Sequence, residues 1–552
     1  MTVLKGNGVF GGIAFGKLSF YKREDEEIKL KKIKDAEAEV KRYEAAKNQA
    51  INELEELYES ASEKVGEEEA MIFKIHQMML DDVDYCESII NIIKSENANA
   101  EYAVWVTARN FSSMFSDMDD SYMKERATDV MDVSKRLIKI ICESDENVHS
   151  YSEPCIVGAD DLTPSETVQF NEDTVKAFVT AYGSTNSHTA ILARTMNIPA
   201  VVGIGNGLKK EFDGCEIIVD GYSGTVYVLP DVTTIERLKK KQELCEYENK
   251  QLQSLKGIES VTKDGQKVNL YANIGSLSDL KMVLQNGAEG IGLFRSEFLY
   301  LKRHSYPTED EQFDAYKKVI EKMEGKRVII RTLDIGADKK VKYFNLPQEE
   351  NPAMGYRAIR ICLDRTEVFK TQLRAIYRAS KYGKVSIMFP MIISVDEVLK
   401  IKDIINEVKK ELDFSNIEYS DDVEIGIMIE TPAAVMISNE LAKEVDFFSI
   451  GTNDLTQYTL AVDRQNNKIN SMYDPNHKAI LRMIKIAADN AHKNGIWIGI
   501  CGELAADDSL TETFLSIGID ELSMSAPFIL NIKKKVLNAD VSKIKEKVLS
   551  QL

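Results

Sequence analysis

From residue 266 onward, short apolar runs and amphipathic stretches alternate eight times. The runs fall at 267–274, 290–295, 327–333, 385–391, 424–430, 446–451, 496–501 and 521–525. Eight strand–helix units in roughly 280 residues match the size of a closed (β/α)8 barrel. That fold places its active site at the C-terminal ends of the strands. Polar residues gather there: Asn273, Arg295, Arg331, Glu430, Asn453, Asp454 and Cys501, with Arg464 in the loop after the sixth strand. Structural charges alone would scatter over both rims.

The first half of the chain has a different texture. Residues 1–20 are Gly-rich with short apolar runs and predict strand and turn. Between about 33 and 143, Val40, Tyr43, Ala46, Ala50, Leu54, Leu57, Ala61 and Val65 recur every three or four residues, which marks a long amphipathic helix. Further helical patterns cover 68–94, 98–116 and 121–143, with no proline in the whole block. A helical bundle inserted between strand-forming segments is expected. From 154 to 230, Cys155–Val157, Ala177–Val179, Ala200–Gly203 and a hairpin over 216–228 predict a small α/β domain. Residues 232–256 are charged and periodic, a connecting helix.

A chain of 552 residues predicts two to four domains. No apolar run approaches the ~20 residues of a membrane-spanning helix. Seven cysteines without a CxxC pair predict free thiols in a cytoplasmic protein. The balance of 70 Lys and Arg against 89 Asp and Glu gives −19, which argues against nucleic acid or an anionic membrane as partner. It suits a protein partner with a basic face, or solubility alone.

Two chemistries emerge. Arg295, Arg331 and Arg464 offer paired donors to a small, multiply anionic substrate, or ion pairs to neighbouring carboxylates. Glu430 and Asp454 end adjacent strands and suit a hard divalent cation held with substrate oxygens, or ion pairing that supports the arginines. Cys501 is a small apolar filler, or an acid or nucleophile facing the pocket. Separately, His188 opens a helix after Asn186 and Ser187, both good caps. Free amides and the helix dipole favour phosphate there. A lone histidine is otherwise an ordinary structural residue. A nucleophilic imidazole together with a cationic, metal-ready pocket points to phosphoryl transfer through a phosphohistidine.

Seven stretches together carry a specific resemblance: 187–194 (Ser-His-Thr-Ala-Ile-Leu-Ala-Arg), 286–299, 331–339, 351–360, 429–434, 451–458 (Gly-Thr-Asn-Asp-Leu-Thr-Gln-Tyr) and 501–505 (Cys-Gly-Glu-Leu-Ala). Along its whole length the chain resembles enzyme I of the bacterial phosphoenolpyruvate:sugar phosphotransferase system. The resemblance implies a multidomain α and α/β protein. A small swivelling α/β phosphohistidine domain (1–30 and 144–231) would carry an inserted helical, carrier-docking subdomain (31–143). A linker helix (232–258) would lead to a phosphoenolpyruvate-binding (β/α)8 barrel that also dimerises (259–552). It implies that His188 is phosphorylated through Nε2. Arg295, Arg331, Asn453, Asp454 and Arg464 would hold phosphoenolpyruvate, and Glu430 and Asp454 would hold Mg²⁺. Cys501 would protonate the departing enolate to give pyruvate. The phosphoryl group would pass to a histidine of the carrier protein HPr, and the barrel would make a homodimer.

Three stretches depart from the family pattern. Gly183-Ser184-Thr185-Asn186 stands where Gly-Gly-Arg-Thr is usual, Ala506 replaces a glycine, and Arg464-Gln465-Asn466-Asn467 replaces Arg-Gly-Asn. Two alternatives follow. One is a dikinase-type enzyme, which would need a nucleotide-binding domain not visible here. The other is a regulatory phosphoprotein with little turnover, motivated by the altered turn before His188.

Overall fold

The Gly-rich start folds as three strands, β1 (Thr2–Lys5), β2 (Asn7–Phe10) and β3 (Ile13–Phe20). In this computed structural model all residues are described except 22–27, 65–66, 119–120, 143–152, 164–165, 167–169, 171–173, 185–186, 197, 302, 304, 337–340, 465 and 467. The chain divides into two units, Met1–Tyr247 and Glu248–Leu552.

In the first unit, β1–β3 share one eight-stranded sheet with β4 (Cys155–Ala159), β5 (Val175–Thr180), β6 (Ala200–Val202), β7 (Glu216–Asp220) and β8 (Thr225–Val228). The order is β1-β8-β7-β3-β4-β5-β6-β2. β3 and β4 pair in parallel although more than 130 residues separate them, so the intervening block is an insertion, as expected. That block contains α1 (Ala36–Lys64), α2 (Glu67–Leu80), α3 (Val83–Glu96), α4 (Ala100–Ser116) and α5 (Ser121–Ile141). Of the periodic residues, Val40, Tyr43, Ala46, Ala50, Leu54 and Ala61 are buried in its core, Leu57 is half-buried against it, and Val65 lies outside the described residues.

The helical pattern over 68–94 is carried by two helices, α2 and α3. Asp82 adopts extended backbone and its carboxylate accepts from the Tyr85 amide at 2.9 Å, capping a new helix. Hydrophobic periodicity runs across the break because both helices face the same core, and the cap is the signal that periodicity overlooks.

After the bundle come α6 (His188–Met196) and α7 (Val232–Gln253). Leu238 of α7 is buried against Ile13 and Ile218, so the early turns of this connecting helix pack on the sheet.

In the second unit, β9 (Asn269–Ile274), β10 (Ile291–Arg295), β11 (Val328–Arg331), β12 (Val385–Phe389), β13 (Glu424–Ile429), β14 (Phe447–Ile450), β15 (Trp497–Ile500) and β16 (Glu521–Met524) close into a barrel with every neighbour parallel. Each coincides with one expected run. Strands buried on both faces read as continuous apolar segments. One core lies between strands and surrounding helices, and a smaller one fills the barrel with Tyr271, Leu293, Ile329, Met388, Met428 and Phe447. Phe447 stacks on Trp497 with ring centroids 4.4 Å apart. Each such fully buried large side chain is worth about 1.5–3 kcal/mol in transfer free energy. The barrel is thus a rigid base for residues just beyond its strand ends.

Candidate active site

Those residues line a cavity of about 970 Å³ that includes Arg295, Arg331, Glu430, Asn453, Asp454, Arg464 and Cys501. All of the barrel residues expected from sequence to act on substrate therefore meet in one place. They do so because Arg295 and Arg331 end neighbouring strands in register, Glu430 and Cys501 immediately follow β13 and β15, and Asn453 and Asp454 begin the helix after β14.

The arginines are not bare cations. Arg331 is buried and bonded to Glu297, and its Nη1 lies 3.0 Å from Asp334 Oδ2. Burial alone would lower its pKa, but Glu297, Asp334, Glu430 and Cys501 outweigh that and raise it. Arg464, partly exposed, reaches Asp454 at 4.0 Å. Among the described residues, Arg295 makes no ion pair. Asn273 belongs to the frame: its side-chain amide donates to the Cys501 carbonyl at 2.9 Å and accepts from Ser523.

The structure adds residues that strand-end reasoning missed. Arg357 is buried, bonds Asp334 at 2.9 Å and lies 3.9 Å from Asp454. It sits in a long excursion after β11, so no periodicity points to it. Asp334 bridges Arg331 and Arg357. Its position three residues after Arg331 is the signal that could have found it. Three non-glycine residues at or beside the site have positive φ, Ala358 at 51°, Met391 at 60° and Ala461 at 53°. The Met391 amide donates to Glu430 Oε1 at 2.6 Å. Such backbone typically costs about 1–3 kcal/mol and persists where the surroundings impose it.

Glu430 is almost fully buried. Burial, then the nearby Asp454 and Asp334 charges, raise its pKa well above the carboxylate range, against Arg331 and Arg357. Two carboxylates that repel one another at a pocket wall suit a divalent cation, which takes one or two carboxylates and fills its shell with water and substrate oxygens. Among the described residues, no three His, Cys, Asp or Glu are grouped to hold a metal by themselves. The donor set therefore fits a cation shared with substrate. Burial pushes the Cys501 thiol up to about 12, so it is a protonated S–H whose sulfur lies 3.6 Å from the Ile450 carbonyl.

In the first unit, His188 is the first residue of α6. Its side chain, and residues 185 and 186 of the turn before it, lie outside the described residues. Gly183 has φ +104°, which only glycine adopts without strain. Ser187 does not cap as expected: its buried hydroxyl has no hydrogen-bond partner among the described residues. Within the subdomain 31–143, expected to dock the carrier, residues 119–120 and the side chains of 121–125 also lie outside them, as do residues 465 and 467 of the altered loop. No described helix is long and apolar enough to cross a membrane.

Comparison with known proteins covers the whole chain. Residues 5–126, 151–224 and 249–541 match the families described as PEP-utilising enzyme, N-terminal; PEP-utilising enzyme, mobile domain; and PEP-utilising enzyme, PEP-binding domain. The phosphoenolpyruvate-protein phosphotransferase of Bacillus subtilis is 45% identical over 554 residues, covering 100% of this chain and 97% of that protein. The Geobacillus stearothermophilus protein of the same name is 45% identical, covering 99% of this chain and 95% of its own length. A solution structure of an Enzyme I protein is 38% identical, covering 44% of this chain and 99% of that one, with a TM-score of 0.38.

Proposed function

Because the chain belongs to the enzyme I family of phosphoenolpyruvate-protein phosphotransferases, we propose that it moves the phosphoryl group of phosphoenolpyruvate to His188 and then to a histidine of HPr, releasing pyruvate. This would be the first step of sugar uptake by a phosphotransferase system, in the cytoplasm. The observation that carries the reading is the meeting of Arg331, Arg357, Glu430 and Asp454 in one cavity that a protonated thiol also lines.

In this reading Arg331, with Arg295 and Arg464, binds the carboxylate and phosphate of the substrate, and Asn453 and Asp454 face the phosphate. Glu430 and Asp454 would hold Mg²⁺, which supplies charge stabilisation for the phosphoryl group and the leaving enolate. The arginines stabilise the same charge from fixed positions. Cys501 gives its thiol proton to the methylene carbon of the enolate, completing pyruvate and leaving a thiolate. The leaving group departs in line, so the imidazole must enter the barrel mouth and later meet HPr. The domain of residues 1–30 and 144–231 would swivel between the two, with 31–143 docking HPr, 232–258 as linker and 259–552 as the catalytic barrel. The barrel would also form a homodimer.

Incubation with phosphoenolpyruvate and Mg²⁺ is expected to add the mass of one phosphoryl group per chain, which HPr then removes. A folded protein that gains no mass would instead support the regulatory phosphoprotein. Glu430→Gln is expected to raise the Mg²⁺ concentration for half-maximal phosphorylation by at least about 10- to 100-fold. An unchanged Mg²⁺ dependence would remove Glu430 from the cation site.

A further inference from the structure

Tyr458 closes the stretch Gly-Thr-Asn-Asp-Leu-Thr-Gln-Tyr, and the reading above gives it no task. It lies on the helix that follows β14, Thr452–Leu460, one turn after Asp454, so the two residues share a helix face. Its side chain lines the cavity, and its hydroxyl meets three separate segments. The hydroxyl donates to the Ala353 carbonyl at 2.5 Å, accepts from Arg357 Nη1 at 3.4 Å and lies 3.8 Å from Met391 Sδ. Burial, with the Asp454, Glu430 and Asp334 charges, pushes this hydroxyl up to about 12 against the pull of Arg357, so it remains a donor. Met391 and Ala358, the neighbour of Arg357, have positive φ, so the hydroxyl braces strained backbone on two sides. It ties the helix after β14 to the excursion after β11 and to the loop after β12.

The consequence falls on Arg357. A guanidinium is a rigid planar fork, so fixing one nitrogen fixes the aim of the others. Nη1 rests on Tyr458, while Nη2 lies 2.9 Å from Asp334 Oδ1 and 3.9 Å from Asp454 Oδ2. The first of these carboxylates is hydrogen-bonded, and the second stands beyond hydrogen-bond reach. Arg464 likewise stops 4.0 Å from the other oxygen, Asp454 Oδ1. Asp454 therefore faces two arginines and is hydrogen-bonded to neither. A direct pair would cover an oxygen that a divalent cation needs.

We propose that Tyr458 is a positioning residue whose hydroxyl holds Arg357 short of Asp454 and so keeps Asp454 open to the divalent cation. The inference rests on Glu430 and Asp454 being the carboxylates that hold that cation. Without the hydroxyl, Ala353 is untied and Arg357 Nη1 loses its rest. The guanidinium then turns about its Asp334 contact and closes the remaining gap to Asp454.

Calorimetric titration of the full-length protein with Mn²⁺, without phosphoenolpyruvate, reads the site in the absence of turnover. Tyr458→Phe keeps the ring and removes only the hydroxyl. It is expected to weaken Mn²⁺ binding about tenfold and to raise the Mg²⁺ concentration for half-maximal phosphorylation by a similar factor. At saturating Mg²⁺, kcat should stay within about threefold of the unsubstituted protein. Arg357→Lys supplies the second arm, because a lysine carries one nitrogen and cannot hold Asp334 and Tyr458 as a fork does. In that background Tyr458→Phe should change Mn²⁺ binding by less than about twofold.

Unchanged Mn²⁺ binding in Tyr458→Phe, or a loss confined to kcat, overturns the proposal. An equal loss in both backgrounds also overturns it, and with a melting temperature lowered by more than about 4 °C would make Tyr458 a merely structural residue. Glu430→Gln separates this from failure of the site reading. It is expected to weaken Mn²⁺ binding in the otherwise unsubstituted protein. Unchanged binding there would remove the cation site itself, whereas unchanged binding in Tyr458→Phe alone would remove only the role of Tyr458.

Discussion

Arg331→Met will cost both stability and phosphoryl transfer, and a second substitution will separate the two losses. Arg331 is buried against Glu297 and Asp334 and also faces Glu430. Removing one partner of a buried pair typically costs about 3–5 kcal/mol, because the remaining charge is left uncompensated. Urea unfolding of the variant should show a loss of that size. The double variant Arg331→Met/Glu297→Gln removes one stranded carboxylate and should recover part of the stability. Neither protein should recover the charge stabilisation proposed for Arg331 at the departing enolate, so phosphorylation by phosphoenolpyruvate should stay about 10²–10³-fold slow in both. Recovery of activity together with stability would make Arg331 a purely structural residue.

The reason this separation is needed also explains what the sequence could reveal. Barrel strands are buried on both faces, so all eight appeared as apolar runs with ends within a few residues of the observed ones. Side chains just beyond those ends were then legible as site residues, which is how Arg331, Glu430 and Cys501 were found. Whether an arginine serves substrate or an ion pair was not legible, because Glu297 and Asp334 reach it from loops. Arg357 was missed for the same reason: it is delivered by an irregular excursion whose course is set by tertiary contacts. Asn273 stands at a strand end like a ligand, yet its amide is spent tying β9 to Cys501. Glu521 stands at the start of a strand, where the sequence pattern marks no role for it. Only the register, which sets Gly499 beside it and brings Gly292 under its carboxyl, reveals that it turns into the barrel. The break between α2 and α3 escaped because one hydrophobic stripe serves two helices.

His188→Ala will abolish the phosphoenzyme while leaving substrate binding intact. The other histidines offer no comparable nucleophile among the described residues. His76 is fully buried 3.8 Å from Asp129, His477 caps the helix that follows it, and His492 is paired with Asp520 at 2.9 Å. His188 instead begins α6, where unsatisfied amides and the helix dipole favour the added phosphate. Alanine is a good helix former, so the helix should survive within about 0.5 kcal/mol. The residues proposed to bind phosphoenolpyruvate all belong to the second unit and do not include His188. Calorimetry with Mg²⁺ should therefore give a Kd for phosphoenolpyruvate close to that of the unsubstituted enzyme, while intact mass shows no phosphoryl adduct. An adduct that persists would move the nucleophile to another residue. Equal loss of binding and adduct would mean that His188 is needed to build the binding site rather than to react within it.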